Sequence, residues 1–261
     1  MGFRERLGNE LLFFDGAMGT MLQARGLSSG ELPELWNITR EEEILDIHKQ
    51  YLASGCNIIK ANTFGANPFK MQGTGYSCEE VTEKGIGIVK RAIAESGREA
   101  YIALDIGSLG KLLEPLGDLP FEEAYKAFKP MCVAGEQAGA DLCLIETMND
   151  TYEIKAAVLA AKENTNLPIV VTMVFDEEGK LLTGADMEAA VAMLEGLRVD
   201  ALGLNCGFGP DVMQKFLPKL REITSLPIVV NPNAGLPSVV DGKTCFHVDP
   251  QEFSKVMKEI A

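Results

Sequence analysis

A chain of 261 residues, 46% hydrophobic and 24% charged, carries enough apolar material for one (β/α) barrel or two small domains. Its 24 Lys and Arg against 38 Asp and Glu leave a net charge of −14 with no basic run, which argues against nucleic acid and against an anionic membrane surface. No window approaches the roughly 20 apolar residues of a membrane span, the N-terminus lacks an apolar signal segment, and the six cysteines form no CxxC pair, so a cytoplasmic protein is expected.

Leu11-Leu12-Phe13-Phe14 reads as a short strand running into the glycine-bearing turn Asp15-Gly16-Ala17-Met18-Gly19-Thr20. Thr39-Arg40-Glu41-Glu42 resembles a capping box, and Ile44, Leu45, Ile47, His48 and Leu52 form a helical stripe that Gly55 stops. The strand 57–61 follows, ending in Asn62-Thr63-Phe64-Gly65. A helix at about 78–96 leads to the strand 101–105, and a helix at about 121–138 leads to the strand 141–145, which ends in Glu146-Thr147. Asp150 and Glu153 box the start of a helix to about 164, before the strand 167–173. After a helix at about 186–197 comes Val199-Asp200-Ala201-Leu202-Gly203-Leu204, and then Asn205-Cys206-Gly207-Phe208-Gly209.

Pro210 sits where a first helical residue is favoured, and Val212, Phe216, Leu217, Leu220 and Ile223 recur at helical spacing. This predicts one helix whose N-terminal dipole would favour a thiolate at Cys206. The seventh strand is 226–230, ending in Asn231-Pro232-Asn233. Asp241-Gly242 reads as a hairpin turn, and a last helix starts near Pro250.

Short apolar strands alternating with helices mean a parallel sheet with right-handed crossovers. The expected fold is α/β, a (β/α)8 TIM-type barrel in one domain spanning 1–261, of which the chain supplies about seven strand–helix units. The polar residues then collect where strands end: Asp15, Asn62, Thr63, Asp105, Glu146, Asn205, Cys206, Asn231 and Asn233. In a barrel these tips converge on one face, where such folds carry their sites. Asp15 and Glu146 suit a ligand ammonium, and the glycine-rich turns offer backbone N–H groups to a carboxylate, so an amino acid is the expected ligand. Two other readings stay open: a lyase or isomerase using Asp15 and Glu146 as acid and base, and a metal-free, non-catalytic barrel binding an amino acid or a partner.

Asp15-Gly16-Ala17-Met18-Gly19-Thr20, Ala61-Asn62-Thr63-Phe64-Gly65-Ala66, Asp105-Ile106-Gly107, Ile145-Glu146-Thr147, Gly203-Leu204-Asn205-Cys206 and Pro232-Asn233-Ala234-Gly235-Leu236-Pro237 occur in this order along nearly the whole chain. Together they resemble the homocysteine S-methyltransferase family, most closely the N-terminal homocysteine-binding module of cobalamin-dependent methionine synthase. The resemblance implies a barrel that binds the homocysteine sulfur on zinc held by three cysteines, and methyl transfer to that sulfur giving methionine. Cys206 matches the first zinc ligand, with Asn205 beside it. Asp15 and Glu146 would hold the amino group, with Gly16 and Thr63 near the carboxylate. The methyl donor would be methylcobalamin on another module or a separate cobalamin-binding protein, or instead a methylated sulfur or nitrogen compound.

The other two zinc cysteines of the family are adjacent, in a segment at the end of the eighth strand, and this chain has no Cys-Cys. A form lacking the eighth unit is therefore expected, with two further Cys ligands beyond Ala261. Cys245 and His247, at i and i+2, could share a strand face and both types ligate zinc, but a Cys-Phe-His beside a hairpin reads more simply as surface loop.

Overall fold

The computed structural model describes residues 2–236, 238–240 and 243–261. Six parallel strands stand side by side in sequence order: β1 (Ile58–Lys60), β2 (Tyr101–Ile106), β3 (Leu142–Met148), β4 (Ile169–Met173), β5 (Ala201–Asn205) and β6 (Ile228–Asn231). Helix α1 (Glu41–Ala53) precedes β1. The crossovers between strands are then α2 (Cys78–Ser96), α3 (Phe121–Ala138), α4 (Thr151–Asn164), α5 (Met187–Gly196), and the pair α6 (Pro210–Met213) and α7 (Leu217–Ile223). Parallel neighbours joined through helices make this an α/β fold of the (β/α)8 barrel type. Among the described residues no helix is long and apolar enough to cross a membrane.

Of the seven predicted strands, the first shrinks to a single bridge, Phe14 beside Ile58. The Phe13 carbonyl accepts from the N–H groups of both Asn57 and Ile58, and the Phe13 N–H donates to the Asn57 side chain at 3.0 Å. That side chain takes the place of the next rung, so the ladder cannot grow. The predicted helix 210–223 breaks into α6 and α7: the Lys215 and Phe216 N–H groups bond three residues back, to Val212 and Met213, and Pro218 in the first turn of α7 has no N–H to restore the ladder. The capping box at Thr39 does not form either. Its hydroxyl donates to the Leu35 carbonyl at 3.0 Å, and Arg40 stands at the cap, where its side chain caps no backbone N–H. Strands β7 (Ser238–Val240) and β8 (Lys243–Cys245) pair antiparallel, Ser238 opposite Cys245, while the turn expected at Asp241-Gly242 lies outside the described residues.

Strand periodicity sorts the barrel into layers. Ile59, Leu104, Cys143, Ile145, Val171 and Leu202 face the helices in the main core. Their neighbours Ile58, Ala103, Leu142, Leu144, Val170 and Ala201 form a second, inner cluster closed from below by Phe3. Two residues further along each strand, the same inward parity delivers Lys60, Asp105, Glu146, Thr172 and Gly203. An apolar floor thus carries a polar layer, and the chemistry of that layer follows from counting in twos. Gly203 is required: a Cβ there would stand 1.9 Å from the Val229 carbonyl oxygen.

Candidate functional site

The acidic side of the mouth is built from four strand ends. Asp15 (3% exposed), Asp105 (6%) and Glu146 (8%) are buried. The Lys60 Nζ donates to Glu146 Oε2 at 3.2 Å, while the Lys60 backbone N–H donates to Asp15 Oδ2 at 3.1 Å. The other oxygens, Asp15 Oδ1 and Asp105 Oδ1, are buried without a hydrogen-bond partner.

Burial pushes the Asp15 carboxyl up to about 7, against the pull of the Lys60 charge and the Lys60 N–H. Burial and the Glu146 carboxylate push Asp105 well above the carboxylate range. For Lys60, burial alone would favour the neutral amine. The Glu146, Asp15 and Asp105 carboxylates outweigh it and hold the ammonium above the ordinary lysine range. Three carboxyls with one lysine, and two oxygens without partners, make a place that stabilises added positive charge.

The sulfur side lies across the mouth. Thr147, in an irregularity of β3 between Ile145 and Met148, has φ 62°, and Cys206 has φ 53°. A β-branched residue in the left-handed region is strained. Asn205 holds the pair. Its Oδ1 accepts the Thr147 N–H at 3.1 Å, and its Nδ2 donates to Thr147 Oγ1 at 2.7 Å and to Cys206 Sγ at 3.5 Å. Thr147 Oγ1 also lies 3.9 Å from that sulfur. The Cys206 N–H donates to the Asn231 carbonyl at 3.1 Å, which ties the turn to β6.

The expected helix-dipole effect on Cys206 is not what governs the thiol. Gly209 caps α6, which is four residues long, and burial with the Glu146 carboxylate pushes the thiol up, only partly offset by the Thr147 hydrogen bond. Beside the sulfur, Met173, Phe175, Leu204, Phe208 and Phe216 line a narrow apolar pocket.

Asp15, Glu146 and Cys206 are thus brought to one mouth, with mutual electrostatic influence between Asp15 and Glu146 and between Glu146 and Cys206. Thr63 is nearby but committed: its hydroxyl donates to the Asp105 carbonyl at 2.8 Å and accepts the Asp105 N–H at 3.2 Å. Gly16 passes so close to Tyr51 that a Cβ would stand 2.8 Å from its hydroxyl oxygen.

Sequence reasoning missed Lys60 and Thr147. A lysine at the inward position closing an apolar strand was the available signal for the first. It also missed Glu34, buried with Oε1 accepting the Gly65 N–H at 2.6 Å and Oε2 without a partner. The Cys245 side chain lies outside the described residues, and His247 is exposed.

Among the described residues, no three His, Cys, Asp or Glu side chains stand together as a metal-binding group. Cys206 would be a lone thiolate, and zinc sites of this chemistry need three protein ligands or more. The described residues therefore do not fit a resident zinc.

The sequence matches the homocysteine S-methyltransferase family over residues 12–261. It is 29% identical to the methionine synthase of Mycobacterium leprae over 268 residues, 97% of this chain and 22% of that protein. To the methionine synthase of Mycobacterium tuberculosis it is 31% identical over 247 residues, 88% of this chain and 21% of that protein. The chain thus spans about a fifth of the length of these curated relatives. Among solved structures, the metallated form of the homocysteine methyltransferase MmuM from Escherichia coli superposes with a TM-score of 0.73 at 25% identity, covering 86% of this chain and 84% of that one.

Proposed function

Because this chain belongs to the homocysteine S-methyltransferase family, we propose that it is a single homocysteine-binding domain, residues 1–261, whose barrel mouth holds the methyl acceptor. The observation that carries the reading is Asp15 Oδ1, buried without a hydrogen-bond partner beside Glu146. A buried carboxylate oxygen without a donor is costly, and a ligand ammonium would satisfy it. Cys206 and the apolar pocket beside it are placed to meet the sulfur end of the same ligand.

In this reading Asp15 and Glu146 receive the amino group, Gly16 lies by the ligand backbone, and Asn205 orients Cys206. Thr63 supports the site through Asp105, since its own hydroxyl is engaged on that backbone. The chemistry is transfer of a methyl group to the homocysteine sulfur, giving methionine. Methylcobalamin, carried by another module or a cobalamin-binding protein, is the proposed donor. Zinc is the family's expected activator of the sulfur, and Cys206 would be one of its ligands; the described residues supply no second. Cys56, Cys78, Cys132, Cys143 and Cys206 are free thiols, which suits a reducing cytoplasm.

The test is calorimetric titration with L-homocysteine and with 4-mercaptobutanoate, which keeps the thiol and carboxylate but lacks the amine. Homocysteine should bind at least tenfold more tightly. Equal affinity for the two would overturn the amine-binding role of the acidic side.

A further inference from the structure

Lys60 is the residue at this mouth that nothing above uses. It stands on the inward parity of β1, directly over the inner-cluster residue Ile58. Its Nζ meets Glu146 Oε2, and that carboxylate is the one assigned above to a ligand's amino group. Its side chain is 11% exposed, so neither it nor Glu146 exchanges this partner for bulk water at little cost.

A second ammonium seated on the Glu146 carboxylate beside that of Lys60 meets strong like-charge repulsion in so dry a place. Room for the displaced charge exists at Asp105, which feels the Lys60 charge and keeps one buried oxygen without a donor. The other titratable groups in electrostatic reach of this cluster are Tyr51 and Cys56, which feel Asp15, Glu34 and Cys143, which interact with Asp105, and Cys206, which feels Glu146, Lys60 and Asp105. None of them supplies a positive charge.

We propose that Lys60 is a resident competitor for the amino-group subsite: its ammonium holds Glu146 in the free protein, and a ligand's ammonium takes Glu146 and Asp15 by shifting Lys60 toward Asp105. The proposal rests on the reading that Glu146 receives the amino group. It makes Lys60 a specificity-determining residue. The subsite accepts a single added cation, and amine affinity is weakened by the work of moving the lysine.

Titration of Lys60→Met with L-homocysteine tests this, alongside Lys60→Arg as the charge-keeping control. Lys60→Met should bind at least tenfold more tightly than the parent, and Lys60→Arg should stay within about threefold of it, a step well under the 1.4 kcal/mol of a tenfold change. Unchanged or weaker binding in Lys60→Met overturns the proposal, weaker binding showing instead that the lysine holds the ligand's carboxylate. Should Lys60→Met fail to fold, the lysine ammonium resonances of the parent decide. Homocysteine should shift the Lys60 signal while 4-mercaptobutanoate does not, and a Lys60 signal indifferent to homocysteine would overturn it. Failure of the amine-binding reading is distinguishable, because the parent itself would then fail to discriminate homocysteine from 4-mercaptobutanoate.

Discussion

On one side of the barrel mouth, Asp15, Lys60, Asp105 and Glu146 are arranged by charge. On the other, Thr147, Asn205 and Cys206 are arranged by backbone turned to positive φ and by neutral hydrogen bonds. The acidic side sits on regular inward strand positions and is unfinished electrically, with two oxygens lacking donors. The sulfur side is electrically complete and is strained. Substitutions that keep shape but remove charge should therefore act on the first side, and substitutions that keep polarity but change backbone freedom on the second.

The largest effect expected from that contrast is on stability. Ionising Asp15 in the folded protein is opposed by burial, so its carboxyl titrates near about 7 rather than at 3.8. A folded-state value raised above the unfolded one means that stability falls as pH rises from about 4 to 7. The gap is worth at most about 4 kcal/mol. Asp15→Asn removes that slope, so urea unfolding should show it gaining on the parent between pH 5 and pH 8. An unaltered slope would mean that Asp15 is not the group carrying the charge strain.

Next comes Glu146→Gln, which keeps the shape and loses the charge that faces both Lys60 and the proposed ligand. Homocysteine affinity should fall by about 1.5–3 kcal/mol, the range for hydrogen bonds to charged groups. Calorimetry would read this as a loss of roughly tenfold to 150-fold. Undiminished affinity would leave Glu146 as a partner of Lys60 alone.

The two sides also differ in how far they could be read from residues. The order of strands and helices was visible because apolar runs of four or five alternate with helical stripes, and Asp15, Glu146 and Cys206 stood out as polar residues closing those runs. Lys60 closes a run in the same way, yet its partner is 86 residues away, and which strand ends face each other is a property of the curled sheet. Thr147 could not be found from its type, since threonine is the wrong residue for φ 62° and is held there by Asn205 from two strands away. His48 belonged to the expected helical stripe. Its full burial, with both ring nitrogens lacking partners among the described residues, depends on how α1 packs. Dipole reasoning at Cys206 failed for a nearer cause. The helix it relied on stops at Met213, and burial outweighs what is left.

A smaller effect separates strain from hydrogen bonding on the sulfur side. Thr147→Val keeps the branched Cβ at φ 62° but loses the hydroxyl that accepts from Asn205. It should cost about 1 kcal/mol. Thr147→Gly loses the same bond but also relieves a strain of order 1–3 kcal/mol, so it should unfold within roughly 0.5 kcal/mol of the parent. Equal destabilisation of both variants in urea would show that the backbone there stores nothing.

The smallest difference is expected with metal. Zinc draws its affinity at thiolate sites from several ligands closing on one ion, each deprotonated as it binds. Cys206 is the sole thiol at the mouth among the described residues, and its neighbours Thr147 and Asn205 offer a hydroxyl and an amide, poor partners for that ion. Its thiol is also held above its ordinary value, so zinc would have to displace a proton that the site retains. After dialysis against zinc and then buffer, elemental analysis of the 261-residue chain should find well under one equivalent, with Cys206→Ser indistinguishable from the parent. One zinc per chain, lost in Cys206→Ser, would break the contrast. The sulfur side would then hold ligands not yet identified, with Cys245 and His247 the first to substitute.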